Sequence, residues 1–217
     1  MKVRDSGMPD ETVWERFFDA RQILAELDFT AADADVVDFG CGYGTFSVAA
    51  ARLTPGTVYA LDIDASMIDA TAGKAASFGL DNVNPIRRDF VAEGTGLPIA
   101  SAGYAMLFNI LHAEDPVALL REALRVLRPA GKVAVIHWTY DAGTPRGPDL
   151  SIRPRPEQCR GWAQQAGFEL VMPAIALPPH HYGLLGRKPQ GPTKTESFMG
   201  QTLSVIGSAL RLRGARS

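Results

Sequence analysis

Two spacings of apolar residues alternate along this chain. Short runs rich in Val, Leu, Ile and aromatic residues lie near 35–39, 57–62, 83–88, 103–109 and 132–138, and these predict strands. Between them, residues near 44–53, 66–78 and 115–128 carry the spacing of helices. In the last of these, Leu119, Leu120, Ala123, Leu124 and Leu127 make one apolar stripe. Asp115-Pro116 opens that helix, since Asp caps well and proline suits a first turn. Arg128-Pro-Ala-Gly131 closes it, while Asp64-Ala-Ser66 and Gly79 bound the helix before it. Strands and helices in alternation predict an α/β fold, a doubly wound parallel sheet with helices on both faces. Ahead of the first strand, Trp14, Phe17, Phe18, Ile23, Leu24 and Leu27 form the apolar face of a further helix.

Beyond Trp138 the pattern changes. Residues 139–156 hold Pro145, Pro148, Pro154 and Pro156 and read as a long loop. A helix over 157–166 follows, then strands at 168–176 and 182–186, with Pro178-Pro179 in the turn between them. Residues 189–217 keep only a short stripe of Leu203, Ile206 and Leu210, which predicts a loosely docked helix or a partly disordered tail.

The chemistry is concentrated where the first strand ends. Val36–Phe46 reads V-V-D-F-G-C-G-Y-G-T-F, with Asp38 two residues before Gly40, and with Gly42 and Gly44 following at alternate positions. Glycine permits a tight turn and a close ligand approach at the carboxyl end of a strand, where α/β sheets bind ligands. The spacing is not the G-x-G-x-x-G of dinucleotide enzymes, so it favours a nucleoside without phosphates over a pyrophosphate. The second strand ends at Asp62, placed to accept two hydrogen bonds from a ribose diol. The third ends at Asp89-Phe90, a carboxylate for an exocyclic amine and a ring to stack beside it.

With these residues in order, the chain resembles the class I S-adenosylmethionine-dependent methyltransferases: D-F-G-C-G-Y-G, then A-L-D-I-D, R-R-D-F, F-N-I-L-H and L-R-V-L-R-P-A-G-K-V. In pattern it is most similar to the type 11, ubiquinone and menaquinone biosynthesis enzymes, over about Asp33 to Lys188. The resemblance implies a Rossmann-like, seven-stranded, mostly parallel sheet in the order 3-2-1-4-5-7-6, with strand 7 antiparallel. It implies a helical cap segment over 1–30, a cofactor-binding domain over 31–188 and a tail over 189–217. It also implies S-adenosylmethionine as cofactor, S-adenosylhomocysteine as product, and a small molecule as methyl acceptor. Two positions depart from the family pattern: Gly103 stands before Tyr104 where an acid is usual, and Ala130 precedes Gly131.

Composition narrows the field. The chain has 217 residues, enough for one α/β domain, and a net charge of −2, which gives no footprint for nucleic acid. Cys41 and Cys159 form no metal-binding or C-x-x-C pattern, so no metal is expected and a reducing cytoplasm is the natural setting. No apolar run is long enough to span a membrane.

The candidate cofactor residues are Asp38, Gly40, Cys41, Gly42, Asp62, Ile63, Met67, Asp89, Phe90 and Asn109. Several have a plainer alternative: Cys41 as a small packing residue, Met67 as core, Asp62 as a helix cap, and Asp89 as an ion-pair partner of Arg87 or Arg88. His112, three residues past the fourth strand, is the candidate for acid–base or orienting work, against a packing role. His137, Tyr140, Arg146 and Arg153 are candidate acceptor-binding residues. An arginine-bearing loop over the site would suit a carboxylate or phosphate, whereas a solvated loop would have no such meaning. A nicotinamide-dependent oxidoreductase and a non-catalytic cofactor-binding protein are the rival readings.

Overall fold

A computed structural model describes residues 10–29 and 34–190. The expectations for 189–217 fall almost wholly outside the described residues. Seven strands form one sheet in the order β3-β2-β1-β4-β5-β7-β6. They are β1 (Asp35–Phe39), β2 (Val58–Asp62), β3 (Val83–Arg87), β4 (Ala102–Phe108), β5 (Leu127–Trp138), β6 (Glu169–Leu177) and β7 (His181–Arg187). Strands β1 to β5 pair in parallel, and β7 runs antiparallel to both β5 and β6. The helices are α1 (Glu11–Glu15), α2 (Ala20–Glu26), α3 (Thr45–Ala51), α4 (Ala65–Ser77), α5 (Phe90–Glu93), α6 (Pro116–Val126) and α7 (Pro156–Ala166).

Alternation along the strands sorts side chains between two cores. Val37, Phe39, Leu107, Val133, Val135 and Leu184 face α6 and α7. Val36, Met106, Phe108, Ala134, Ile136 and Leu185 face α2 and α3. Each large side chain so buried contributes about 1.5–3 kcal/mol, which is why near-continuous apolar strands settle inside a two-faced sheet. The Tyr104 hydroxyl donates to the Leu27 carbonyl at 2.8 Å and ties the end of α2 to β4. Gly103 beside it is a matter of space: a Cβ there would lie 2.4 Å from Ala34 Cβ. The departure from the family pattern at this position therefore matches the local packing.

Three boundaries differ from expectation. The N-terminal apolar stretch makes two helices, because Asp10 and Asp19 each cap a new turn by accepting from Val13 N and Gln22 N. Residues 128–131 do not end a helix in a turn; β5 already begins at Leu127. There the strand carries a register shift against β4, with Ala130 at φ 63°. Asp89 caps a short helix, α5, that periodicity over four residues could not reveal.

Strands β1, β2, β4 and β5 end at one rim of the sheet. Since β7 runs the other way, its first residue, His181, reaches the same rim beside Trp138.

Candidate functional site

The glycine turn is held almost entirely by its own neighbours. Gly40 N and Cys41 N both donate to the Leu61 carbonyl, at 2.8 and 2.9 Å, and Gly44 N donates to the Cys41 carbonyl at 2.9 Å. Gly42 N donates to Asp62 Oδ2 at 3.1 Å. Gly40, Gly42 and Gly44 sit at φ 78°, 52° and 75°, the left-handed region where a side chain is strained. Four N–H groups of the turn are thus committed inside the protein. An anion nest of free backbone donors is not what this turn offers.

Its chemistry lies in two carboxylates. Asp38 is buried and accepts from Ser47 Oγ at 2.6 Å. Burial, outweighing that hydrogen bond and helped by the charge of Asp62, pushes its pKa up to about 7. Asp62 is half-buried, and its second oxygen accepts from Asp64 N at 3.0 Å. Burial raises its pKa too, against the bonds from Asp64 and Gly42. With each oxygen fixed by one N–H, Asp62 keeps lone pairs for a ribose diol. Two acidic groups in a partly dry site favour a cationic ligand and oppose a pyrophosphate. These features fit the cofactor that the resemblance implies.

Other candidates on this side fall into place unequally. Cys41 is buried, and burial pushes its thiol well above the ordinary range, so it packs and is not a nucleophile. Thr71 of α4 donates to the Gly42 carbonyl at 3.0 Å. Ile63 and Met67 are partly buried at the start of α4. Asp89 caps α5 through Ala92 N at 3.1 Å, and the side chains of Arg87 and Arg88 bond to backbone carbonyls of Ile63, Glu93 and Gly94. Phe90 is buried, with its ring edge-on to Phe39 at 5.5 Å. It fills space behind Gly40.

Across the rim, buried polar side chains lie on both faces of the sheet's end, His137 on the side of Tyr182 and His181 on the side of Trp138. Asn109 follows β4 at φ 55°, and both atoms of its buried amide lack a protein hydrogen-bond partner. His112 is buried, with its ring 5.6 Å from that of His137 at the end of β5. His137 Nε2 and both ring nitrogens of His181 also lack protein partners. Burial drives His137 well below the usual imidazole range and His181 down to about 3, so both are neutral. Phe18 lies 4.5 Å and Trp138 4.2 Å from His181, centroid to centroid.

The loop after Trp138 behaves differently from expectation. Arg153 is buried, and its guanidinium donates to the carbonyls of Thr139, Asp141, Arg146 and Pro148 and to Thr144 Oγ1. It braces the loop from within and has no donor to spare for an acceptor. Arg146 is exposed, and the Tyr140 ring is covered by the Arg155 guanidinium at 3.7 Å. An anion clamp of Arg146 and Arg153 is therefore replaced by a self-braced loop.

The N-terminal segment closes over both halves. Lys74 of α4 bonds Glu11 and Glu15 of α1 at 2.6 Å each, while Phe18 packs on Phe46 and Phe17 on Trp138. Sequence reading missed Ser47, Thr71 and His181. A lone serine in the apolar run F-S-V-A-A-A was a usable sign of Ser47; His181 depends on strand register, which carries no local mark. A cleft of about 220 Å³ lined by Thr54, Tyr104, Arg128 and Lys132 lies at the opposite rim, away from these groups. Among the described residues no cluster of three or more His, Cys, Asp or Glu could hold a metal ion, and no helix is long and apolar enough to cross a membrane.

The methyltransferase-domain family model matches residues 36–131. Nocamycin O-methyltransferase of Saccharothrix syringae is 34% identical over 140 residues, 61% of this chain and 48% of that protein. Ribosomal protein L11 methyltransferase of Dechloromonas aromatica is 34% identical over 117 residues, 53% of this chain and 36% of that protein. The chain thus spans less than half the length of these curated relatives. The crystal structure of a SAM-dependent methyltransferase from Aquifex aeolicus superposes with a TM-score of 0.71 at 22% identity, over 82% of this chain and 93% of that one. Its likeness is one of fold, the Rossmann-like sheet described above.

Proposed function

We infer, from a chain whose residues 36–131 match a methyltransferase-domain family model, that it is a class I methyltransferase and transfers a methyl group from S-adenosylmethionine to a small-molecule acceptor. One observation carries the reading. The N–H groups of the glycine turn are spent on Leu61, Asp62 and Cys41, while the Asp62 carboxylate stays available beside Asp38. Such a site suits a ribose without phosphates and a positively charged neighbour, and it disfavours a nicotinamide dinucleotide. The type 11, ubiquinone- and menaquinone-like subtype is part of the same proposal, as is a cytoplasmic setting.

When bound, S-adenosylmethionine supplies an already activated methyl on a sulfonium. The protein's work is then mostly positioning and exclusion of water. Asp62 holds the ribose and Asp38 faces the positively charged part. Asn109 stands where the two halves of the rim meet. His112 is the residue proposed to orient the acceptor or take its proton. The relatives' names divide between a small molecule and a ribosomal protein. The enclosed aromatic wall around His181 supports the small molecule, because a protein side chain would have to enter beneath the N-terminal segment.

A thermal-shift series with S-adenosylmethionine, S-adenosylhomocysteine and NADH tests the reading. A ligand at a hundred times its Kd adds about 2.7 kcal/mol of stability. S-adenosylhomocysteine should stabilise and NADH should not; equal stabilisation by NADH alone would overturn the proposal.

A further inference from the structure

We propose that the cleft at the amino ends of β1, β4 and β5 is a second ligand site, and that it takes a small aromatic carboxylate with Arg128 as its anchor. The cleft lies at the rim opposite the glycine turn and its two carboxylates, so the site is independent of methyl transfer.

A bulge in β5 builds one wall. Leu127 pairs with Ala102 and Lys132 with Tyr104, so residues 128–131 stand opposite Gly103 alone. The bulge is braced from the chain just past β7: Ala130 N donates to the Lys188 carbonyl at 3.0 Å, and Lys188 N to the Gly131 carbonyl at 2.8 Å. Ala130 is held at φ 63°, a conformation that residues with a side chain rarely adopt and that gathers at ligand sites. Bulges re-aim side chains, and this one carries Arg128 over Gly103. A Cβ at Gly103 would lie 3.3 and 3.4 Å from Arg128 Nε and Cζ. Gly103 and Ala130, the two departures from the pattern of the methyltransferases that the chain resembles, both line the cleft. With glycine at 103 no acid stands against the guanidinium, and among the described residues no carboxylate pairs with Arg128.

The lining sets the ligand's character. Arg128 is exposed, and its planar fork matches a carboxylate through two parallel hydrogen bonds. Lys132 adds a second positive charge, partly balanced by Asp28 at 2.7 Å. Phe29 and Tyr104 stand edge to face, 4.8 Å between centroids, and offer aromatic surface to a ring. The inner hydroxyls are already engaged: Tyr104 donates to the Leu27 carbonyl, while Thr54 donates to the Ala34 carbonyl and accepts from Gly56 N. The interior therefore favours an apolar body, and the mouth an anionic end. A volume of about 220 Å³ falls below the roughly 300–1,000 Å³ of drug-sized sites, which limits the ligand to a single ring. A free phosphate would meet the same charge but leave the aromatic wall uncovered.

Benzoate, benzamide and acetate separate the charge from the ring. Each is titrated into the full chain, with backbone amides followed by NMR. Benzoate should shift the amides of Gly103, Ala130, Gly131 and Lys132 saturably, while those of Gly40, Gly42 and Gly44 stay in place. Benzamide has the ring without the charge and acetate the charge without the ring, so each should bind at least about tenfold more weakly. Arg128→Gln should weaken benzoate binding at least about tenfold and move Tm by no more than about 2 °C, because the side chain is exposed. Arg128→Lys keeps the charge and loses the fork, so its affinity should fall between the two. Benzoate shifts confined to the glycine turn, no saturable shift at 103 and 130–132, benzamide or acetate binding as tightly as benzoate, or full benzoate affinity in Arg128→Gln would each overturn the proposal.

Discussion

The amide of Gly42 donates to a carboxylate oxygen of Asp62, twenty residues away, at 3.1 Å. That one bond joins the turn after β1 to the end of β2, so the proposed ribose-binding group and the glycine turn are set together. Asp62→Ala should weaken S-adenosylhomocysteine binding by about 1–3 kcal/mol, the loss of hydrogen bonds to a charged acceptor. Calorimetry on a folded variant checks this, and unchanged affinity would remove Asp62 from the site.

Asp38 links the site to pH. Its pKa in the folded protein is about 7, against an ordinary 3.8. The folded state therefore holds a proton that the unfolded state gives up. The stability this confers is complete below about pH 4 and is lost as pH rises through 7. Asp38→Asn, which keeps an acceptor for Ser47, should stabilise the ligand-free protein at pH 8 by roughly 1–4 kcal/mol and hardly at all at pH 4. The same variant should bind S-adenosylmethionine less well at pH 8. Melting curves at the two pH values decide it.

Gly44 leaves little room for a side chain. It stands at φ 75°, and a Cβ would meet Thr71 side-chain atoms at 2.9 and 3.0 Å and its Cα at 3.1 Å. Gly44→Ala should cost roughly 1–3 kcal/mol from left-handed strain and crowding. It should also weaken cofactor binding, since α3 and α4 must part. Denaturant unfolding with calorimetry measures both effects.

Arg153 is expected to matter for the loop and not for acceptor charge. Arg153→Ala strips five groups of their donor and leaves a buried gap. Hydrogen exchange should rise over 139–153, and stability should fall by roughly 2–4 kcal/mol. Affinity for S-adenosylhomocysteine should stay within a factor of two or so, since the loop follows β5, two strands away from β1. Loss of cofactor binding without faster exchange would contradict the brace.

The clip between Lys74 and the pair Glu11 and Glu15 should be felt in the N-terminal segment alone. Partial burial opposes its charge, but the two carboxylates prevail and raise the lysine pKa. Lys74→Met should speed amide exchange over 11–18 and change global stability by about 1 kcal/mol or less, as partly exposed ion pairs do.

Much of the frame was legible because it is written in local pattern. The strands that carry Asp38 and Asp62 and the one that leads into Asn109 follow from apolar runs, and Asp64 and Asp115 announce the helices they cap. Residues that act through distant partners were not legible. Arg153 looked like a free cation because its acceptors are backbone carbonyls of an irregular loop, which leave no mark in residue type. Phe90 sat beside a plausible aspartate, and its edge-on packing against Phe39 has no mark in the sequence. His181 needed the register of an antiparallel pair before it could be set beside Trp138. The break between α1 and α2 was foreshadowed by Asp19, a cap inside an apolar stretch, and a stricter reading of capping signals would have found it.

The reversed direction of β7 has a consequence for how such a protein changes over generations. Parallel strands present their last residues at the working rim, and each is anchored by the crossover that follows. Strand β7 presents its first residue instead, directly after a short turn from β6 whose His180 carbonyl already receives Thr139 N. Residues added or lost in that turn would reshape that end of the rim without moving β1 or β2. One end of the sheet can therefore vary while the other keeps its residues in place.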